Sequence, residues 1–131
     1  MKKIIIILSI TLLGCKNYID CSEIEYRDGF SYYKGSLFTG ECQQYYPHDQ
    51  ISSQQFYLNG KDNGQWSFYF PNGNLKTVAN FNLGTRIGTW RFYHENGNLW
   101  KVNNYSEKGE KTGIWKTFSK DGKILDSINL K

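Results

Sequence analysis

The sequence predicts an all-β protein, an elongated array of stacked antiparallel β-hairpins forming a twisted single-layer sheet. Three observations lead there. A tryptophan-centred phrase recurs: GQWSFYFPNGNL from Gly64, GTWRFYHENGNL from Gly88 and GIWKTFSKDGKI from Gly113, with a degraded copy, GECQQYYPHDQI, from Gly40. The four starts lie 24, 24 and 25 residues apart, a period at which each unit buries its apolar face only against its neighbours. Apolar and polar side chains alternate with period two inside the copies, and no segment beyond residue 14 sustains an apolar period of 3.6. The composition agrees, with aromatics at 17% and 13 glycines against 2 prolines.

Each copy reads as two strands around a turn. Trp66, Phe68 and Phe70 alternate with Ser67 and Tyr69, and Trp90 and Phe92 alternate with Arg91 and Tyr93. Trp66, Phe68, Trp90, Phe92, Trp115 and Phe118 are the expected repeat core, although Trp115 and Phe118 stand three apart and break the alternation. Asn72-Gly73, Asn96-Gly97 and Asp121-Gly122 follow. Such pairs suit a two-residue hairpin turn, since both residues tolerate positive φ. Second strands are expected over 74–81, 98–105 and 123–128, with Gly-rich links at 83–88 and 107–113. In front, Asp28-Gly29 marks another hairpin between residues 26 and 33. His48-Asp49 replaces Asn-Gly in the degraded copy, which predicts a looser turn, and the chain from Asn129 should fray.

Residues 1–14 read as a lipoprotein signal peptide. Lys2 and Lys3 precede an apolar stretch from Ile4 to Leu13, too short for a permanent membrane span. It ends in Leu12-Leu13-Gly14-Cys15, which resembles the lipobox of bacterial lipoproteins. That resemblance implies cleavage before Cys15 and acylation of Cys15, which anchors the chain to a membrane through N-terminal lipid. An ordinary signal peptide is the alternative. Residues 15–22 then form a lipidated tether and 23–131 the repeat domain. Lys16 stands where an aspartate often retains lipoproteins in an inner membrane, which favours the outer membrane if the source is Gram-negative. Loss of Lys2 and Lys3 lowers the formal charge from +4 to +2, an interspersed surplus that gives no footprint for nucleic acid.

Cys21 and Cys42 are candidates for a disulfide in an oxidising compartment, worth about 3 kcal/mol by loop closure. Cys42 holds the slot of Trp66, Trp90 and Trp115, so a bridge there replaces an aromatic anchor. A pair of free thiols is the alternative reading. Their spacing is not CxxC, which argues against redox catalysis.

The phrase Gly-x-Trp-x-x-Phe/Tyr-Tyr/Phe-x-x-Asn-Gly-x-Leu at 64–75 and 88–99 resembles the MORN-type repeat. It is similar in particular to the bacterial variant in exported proteins often labelled as antitoxins of toxin–antitoxin systems. Gly64, Trp66, Asn72, Gly73 and Leu75 carry the likeness, as do Gly88, Trp90, Asn96, Gly97 and Leu99. Gly113, Trp115, Asp121, Gly122 and Ile124 match with conservative changes, while Cys42, His48 and Asp49 depart. The resemblance implies stacked hairpins with structural, membrane-associated or protein-binding roles, and no catalysis.

The residues themselves offer no catalytic set. His48 and His94 belong to no metal-ligand spacing and read as solvated turn residues. The acidic front, Asp20, Glu23, Glu25 and Asp28, lacks calcium-loop spacing, and the serines lack a nucleophile elbow. No metal and no cofactor is expected. Tyr69, Tyr93 and Tyr105 are expected on the face opposite the tryptophans, interleaved with Arg91, Lys101 and Lys116, as a candidate binding face. The leading expectation is an anchored module binding another protein, in an antitoxin or immunity-type role. A structural envelope lipoprotein contacting cell-wall or surface glycan is the alternative, and a small hydrolase the third reading.

Overall fold

A computed structural model of the chain describes residues 18–131; the signal peptide, Cys15 and the start of the tether lie outside the described residues. The short strand β1 (Tyr18–Asp20) and a 3-10 turn at Cys21–Glu23 lead into β2 (Glu25–Arg27), β3 (Phe30–Tyr33) and β4 (Ser36–Leu37). Then β5 (Gly40–Tyr45) and β6 (Ile51–Leu58) form the first hairpin of the array, followed by β7 (Lys61–Asp62). The plan repeats with β8 (Gly64–Tyr69), β9 (Leu75–Asn82) and β10 (Thr85–Arg86). The third hairpin is β11 (Gly88–Tyr93) with β12 (Leu99–Tyr105), and the fourth is β13 (Lys111–Phe118) with β14 (Ile124–Leu130). The main sheet runs β1-β5-β6-β8-β9-β11-β12-β13-β14, with β7 folded back on β6 and β10 on β9. The remaining strands make a small sheet, β2-β3-β4.

Strand pairing is long inside a hairpin and short at the first two joints between hairpins, while β12 and β13 pair at four positions. In register, β8 and β9 run from Gly64↔Phe81 to Phe68↔Thr77, and β11 and β12 from Gly88↔Tyr105 to Phe92↔Lys101. By contrast β6 meets β8 only at Ser53↔Phe68 and Gln54↔Ser67, and β9 meets β11 only at Val78↔Arg91 and Thr77↔Phe92. Where neighbouring hairpins part, the repeat tryptophan bridges them. The indole N–H of Trp66 donates to the Phe56 carbonyl at 2.8 Å, that of Trp90 to Asn80 at 3.1 Å and that of Trp115 to Asn104 at 3.0 Å. The rings also touch in sequence across the sheet. Phe38, Tyr57, Trp66, Phe81, Trp90, Tyr105 and Trp115 form a ladder with centroids 4.9 to 5.6 Å apart, the spacing at which tilted aromatic pairs attract. Few side chains are fully covered, among them Phe38, Cys42, Val78 and Ala79, so the ladder is the core.

Several expectations need correction. The Asn-Gly pairs do not form two-residue turns. Gly73 N–H donates to the Phe70 carbonyl and Phe70 N–H to the Asn74 carbonyl, which makes a three-residue loop: a type I turn, then Gly73 at φ 88°. The same two bonds close at His94 and at Ser119, where Glu95 and Lys120 take the place of Pro71, so the loop belongs to the repeat; Pro71 suits its second position because its ring holds φ negative. The tight turns with two positive φ values lie instead in the links, at Asn59-Gly60 and Leu83-Gly84, and in front at Asp28-Gly29 and Lys34-Gly35. The His48-Asp49 turn is no looser than the rest: Asp49 takes φ 62°, and the same two backbone bonds close at Tyr46. Tether residues Tyr18–Asp20 form a strand parallel to β5, paired Ile19↔Cys42. Asn129 does not fray, since it pairs with Ile114. The 107–113 link ends in strand, because a three-residue turn between Ser106 and Glu110 lets β13 begin at Lys111.

The front is closed. A disulfide joins Cys21 to Cys42, and Cys42 is wholly buried. The small sheet docks through backbone bonds, Ser31 N–H to the Gly60 carbonyl at 2.8 Å and Gly60 N–H to the Phe38 carbonyl at 2.7 Å. A β-carbon on Gly60 would stand 2.9 Å from the Ser31 carbonyl oxygen and 2.8 Å from Leu37. That approach, with φ at 75°, requires glycine.

Trp90→Ala should destabilise the protein by about 3–5 kcal/mol, the range for a large aromatic in a core; a loss under about 1 kcal/mol in urea denaturation would remove the ladder as the stabilising element. Alkaline pH supplies a second check. Burial, with Asp62 nearby, pushes the Tyr57 phenol up from 10.0 to about 12. The unfolded chain therefore releases this proton first, and stability should fall between about pH 10 and 12. Tyr57→Phe should flatten that part of a pH–stability profile.

Candidate functional site

Repetition separates what the fold needs from what it does not. Asn72 and Asn74 both donate side-chain N–H groups to the Glu95 carbonyl, at 3.0 and 2.9 Å, and Asn96 and Asn98 likewise to Lys120, at 2.9 and 2.7 Å. Each turn thus clamps the next repeat. His48, in the slot of Asn72, donates through Nε2 to the Pro71 carbonyl at 3.0 Å. His94 Nε2 does the same to Phe118 at 3.0 Å, as the Tyr46 hydroxyl does to Tyr69 at 2.8 Å. The histidines are therefore inter-repeat clamps rather than merely solvated turn residues. In the last copy Asp121 has an acceptor carboxylate and pairs with Lys123 at 3.3 Å.

Strand register assigns the faces. One face carries Trp66, Phe68, Ala79, Thr77, Trp90, Phe92, Asn103 and Lys101, since these residues pair across the ladder. Gln54, Ser67, Val78, Arg91, Val102 and Lys116 share a row on the other. Arg91 and Lys116 are thus separated from Lys101 by the sheet itself. Tyr105 is also misplaced by the alternation argument: it sits in the ladder between Trp90 and Trp115, at 5.6 and 5.5 Å, because it pairs opposite Gly88.

A bulge follows Phe68, Phe92 and Thr117, shifting the register before Tyr69, Tyr93 and Phe118. Phe118 is therefore the counterpart of those tyrosines, and Thr117 takes the slot of Phe92. The bulge breaks the two-residue alternation, so Tyr69 and Tyr93 line the same hollows as Phe68 and Phe92. One hollow, about 420 Å³, is walled by Phe70, Phe92, Tyr93, His94 and Trp100, with Lys76 and Glu95 at its edges. The other, about 210 Å³, is lined by Gln44, Tyr46, Ser53, Gln55, Phe68 and Tyr69 and shares Lys76. Its polar groups contrast with the almost wholly apolar wall of the first.

Trp100 is the residue that motif reading passed over. It occupies the bulge slot held by Lys76 one repeat earlier, and it is 44% exposed. Its ring stands 6.3 Å from Phe92 and 6.1 Å from His94. The three motif tryptophans fix neighbouring hairpins through carbonyl bonds; Trp100 sits outside that pattern. Its irregular position in the repeat was the available signal. Asn103 is the other departure, buried with an unpartnered Oδ1 in the slot that Ala79 fills one repeat before. Among the described residues no group of three or more His, Cys, Asp or Glu side chains is placed to hold a metal ion. No described helix is long and apolar enough to cross a membrane.

A family model, the MORN repeat variant, matches residues 38–61, 62–83, 86–107 and 111–131. Repeats of this family form modules that often bind membranes or proteins, and they are generally non-catalytic. No curated protein and no solved structure matches the chain.

Asn103→Ala should leave stability unchanged or raise it, since an unpaired buried carbonyl is removed and the repeat tolerates alanine there. A loss above about 1 kcal/mol in chemical denaturation would show that the amide has a partner.

Proposed function

The chain belongs to the MORN repeat variant family, and on that premise we propose that it is a non-catalytic, lipid-anchored module that binds another protein in an antitoxin or immunity-type role. The observation that carries the binding reading is Trp100, a large aromatic left 44% exposed beside an apolar hollow at a slot the stacking does not use. Exposed indoles with apolar neighbours are characteristic anchors of protein interfaces. The anchor reading rests on the lipobox likeness at Leu12-Leu13-Gly14-Cys15. Only Lys16 and Asn17 separate Cys15 from β1, so a lipid on Cys15 would hold the sheet within about 10 Å of the bilayer.

The test is direct. Metabolic labelling with palmitate should mark the wild-type chain and leave Cys15→Ser unlabelled and released from membranes; equal labelling of both would end the anchor reading. Photo-crosslinking from position 100 in intact producing cells should trap one protein species. Crosslinks confined to cell-wall polymer would favour the alternative of a structural envelope lipoprotein touching glycan. Purified sacculi that fail to retain the protein would count against that alternative.

A further inference from the structure

We propose that the two adjoining hollows on the ring face form one site for an extended acidic peptide segment with an aromatic or branched apolar side chain, seated against Trp100. This deepens the protein-binding reading above and rests on it. Lys76 lines both hollows, with its ammonium 5.7 Å from the Phe70 ring centre. Lys101 lies on the same face, paired opposite Phe92, with its ammonium 6.0 Å from the Trp100 ring. Neither has a carboxylate partner, the ion pair found among the described residues being Lys123–Asp121. Both cations stand at slots whose residue changes from copy to copy, Ser52, Lys76, Trp100 and Leu125 at one and Ser53, Thr77, Lys101 and Asp126 at the other. Lys76 and Trp100 share the bulge slot, and Lys101 stands where Thr77 does one repeat earlier. The stacking therefore requires neither. Glu95 sits at the rim, in the turn. Asp126 shares the face two strands beyond Lys101, on the edge strand opposite Thr117.

Shape and hydrogen-bonding chemistry narrow the occupant. Phe92 and Trp100 meet nearly edge to face, at 78°. With Phe70 they enclose an apolar recess that accepts a side chain end-on, whereas a sugar needs a flat, open ring. The adjoining hollow is lined by Gln44 and Tyr69, whose amide and hydroxyl can meet the donors and acceptors of a peptide backbone, while Tyr46, Ser53 and Gln55 are hydrogen-bonded within the protein. Between them stands Lys76. From β5 to β12 the site crosses six neighbouring strands, roughly 24 Å at about 4.8 Å per strand, which fits about seven extended residues. An acidic residue beside the apolar anchor would meet the ammonium groups of Lys76 and Lys101, and desolvation by the rings strengthens that attraction.

The experiment uses the soluble chain from residue 16 onward with its disulfide intact, and fluorescence anisotropy with defined peptide pools. One pool has seven-residue peptides of Asp and Glu around a central Phe, Trp or Leu. A second replaces the acids with Lys, and a third replaces the central residue with Ser. The acidic apolar pool should bind at least tenfold tighter than either, and more weakly as salt rises. Trp100→Ala should weaken binding tenfold or more while circular dichroism and melting stay near wild type. Lys76→Glu with Lys101→Glu should reverse the preference toward the basic pool. Equal binding of acidic and basic pools, or affinity unmoved by Trp100→Ala, overturns the proposal. Binding of anionic oligosaccharides in place of peptides, lost in Trp100→Ala, overturns the occupant. If the intact protein still captures a protein from producing cells when Trp100 is alanine, this site is wrong while the binding reading stands. If neither variant nor wild type captures one, that reading fails too.

Discussion

Neighbouring hairpins in this protein are joined by as few as two pairs of residues, and the rest of the structure answers that constraint. Where β9 and β11 part, the carbonyl of Asn80 faces the gap, and it receives both Trp90 Nε1–H and Ile87 N–H. Phe56 receives Trp66 Nε1–H and Asn63 N–H in the same way. A backbone group at a splayed edge must find some partner, and the indole supplies one while filling the space with ring. That double duty explains why tryptophan rather than phenylalanine holds the slot. It also explains why the links contain tight turns, since β7 and β10 fold back to supply the second donor. Because every hairpin needs the ring of the next, stability is shared along the array instead of residing in one deep core.

The two ends solve the problem differently. At the front the neighbour of β5 in the main sheet is the short strand β1 and not a repeat hairpin, and Cys42 occupies the tryptophan slot, tied to Cys21. The strand β1 covers the edge of β5, while the small sheet places Phe38 over Tyr57 as the first rung. At the far end the ladder stops at Trp115, and β14 leaves Ile124, Leu125 and Ile128 exposed. The Asn clamp stops there as well, because Asp121 can only accept. The array is thus directional, with a closed front and an open last strand.

Much of this was legible in the sequence, for reasons that also mark where reading failed. Trp66, Trp90 and Trp115 announce themselves because a repeat writes its structural residues several times over, and the hairpin order followed, while the intervening rungs Tyr57, Phe81 and Tyr105 were not read as such. Turn type was misread because Asn-Gly was weighed as a whole turn, whereas in the copies that carry it the pair supplies only the last two of three loop residues. Tyr105 was misassigned because alternation was counted from each tryptophan without knowing where bulges reset it. The same bulges hid the kinship of Phe118 with Tyr69 and Tyr93. The roles of His48 and His94 depend on carbonyls 23 and 24 residues away, which one repeat read alone does not display.

The comparison of His48 with Trp100 shows how function can be sought in a repeat protein. His48 breaks the motif, while Trp100 lies just beyond its last residue, Leu99. His48 turns out to donate to the next repeat at the turn where Asn72 does, so the fold accounts for it. Trp100 replaces an exposed lysine with a larger apolar ring, and no stacking bond depends on it. A surface tryptophan carries an exposure penalty in water that the contacts of Trp100 with Phe92 and His94 relieve only in part. Lys76 and Lys101 stand in the same position, as cations on the ring face without carboxylate partners. What the repeat explains is architecture; these variable positions converge around one pair of hollows, and convergence at positions the fold leaves unconstrained is the physical ground for placing recognition there.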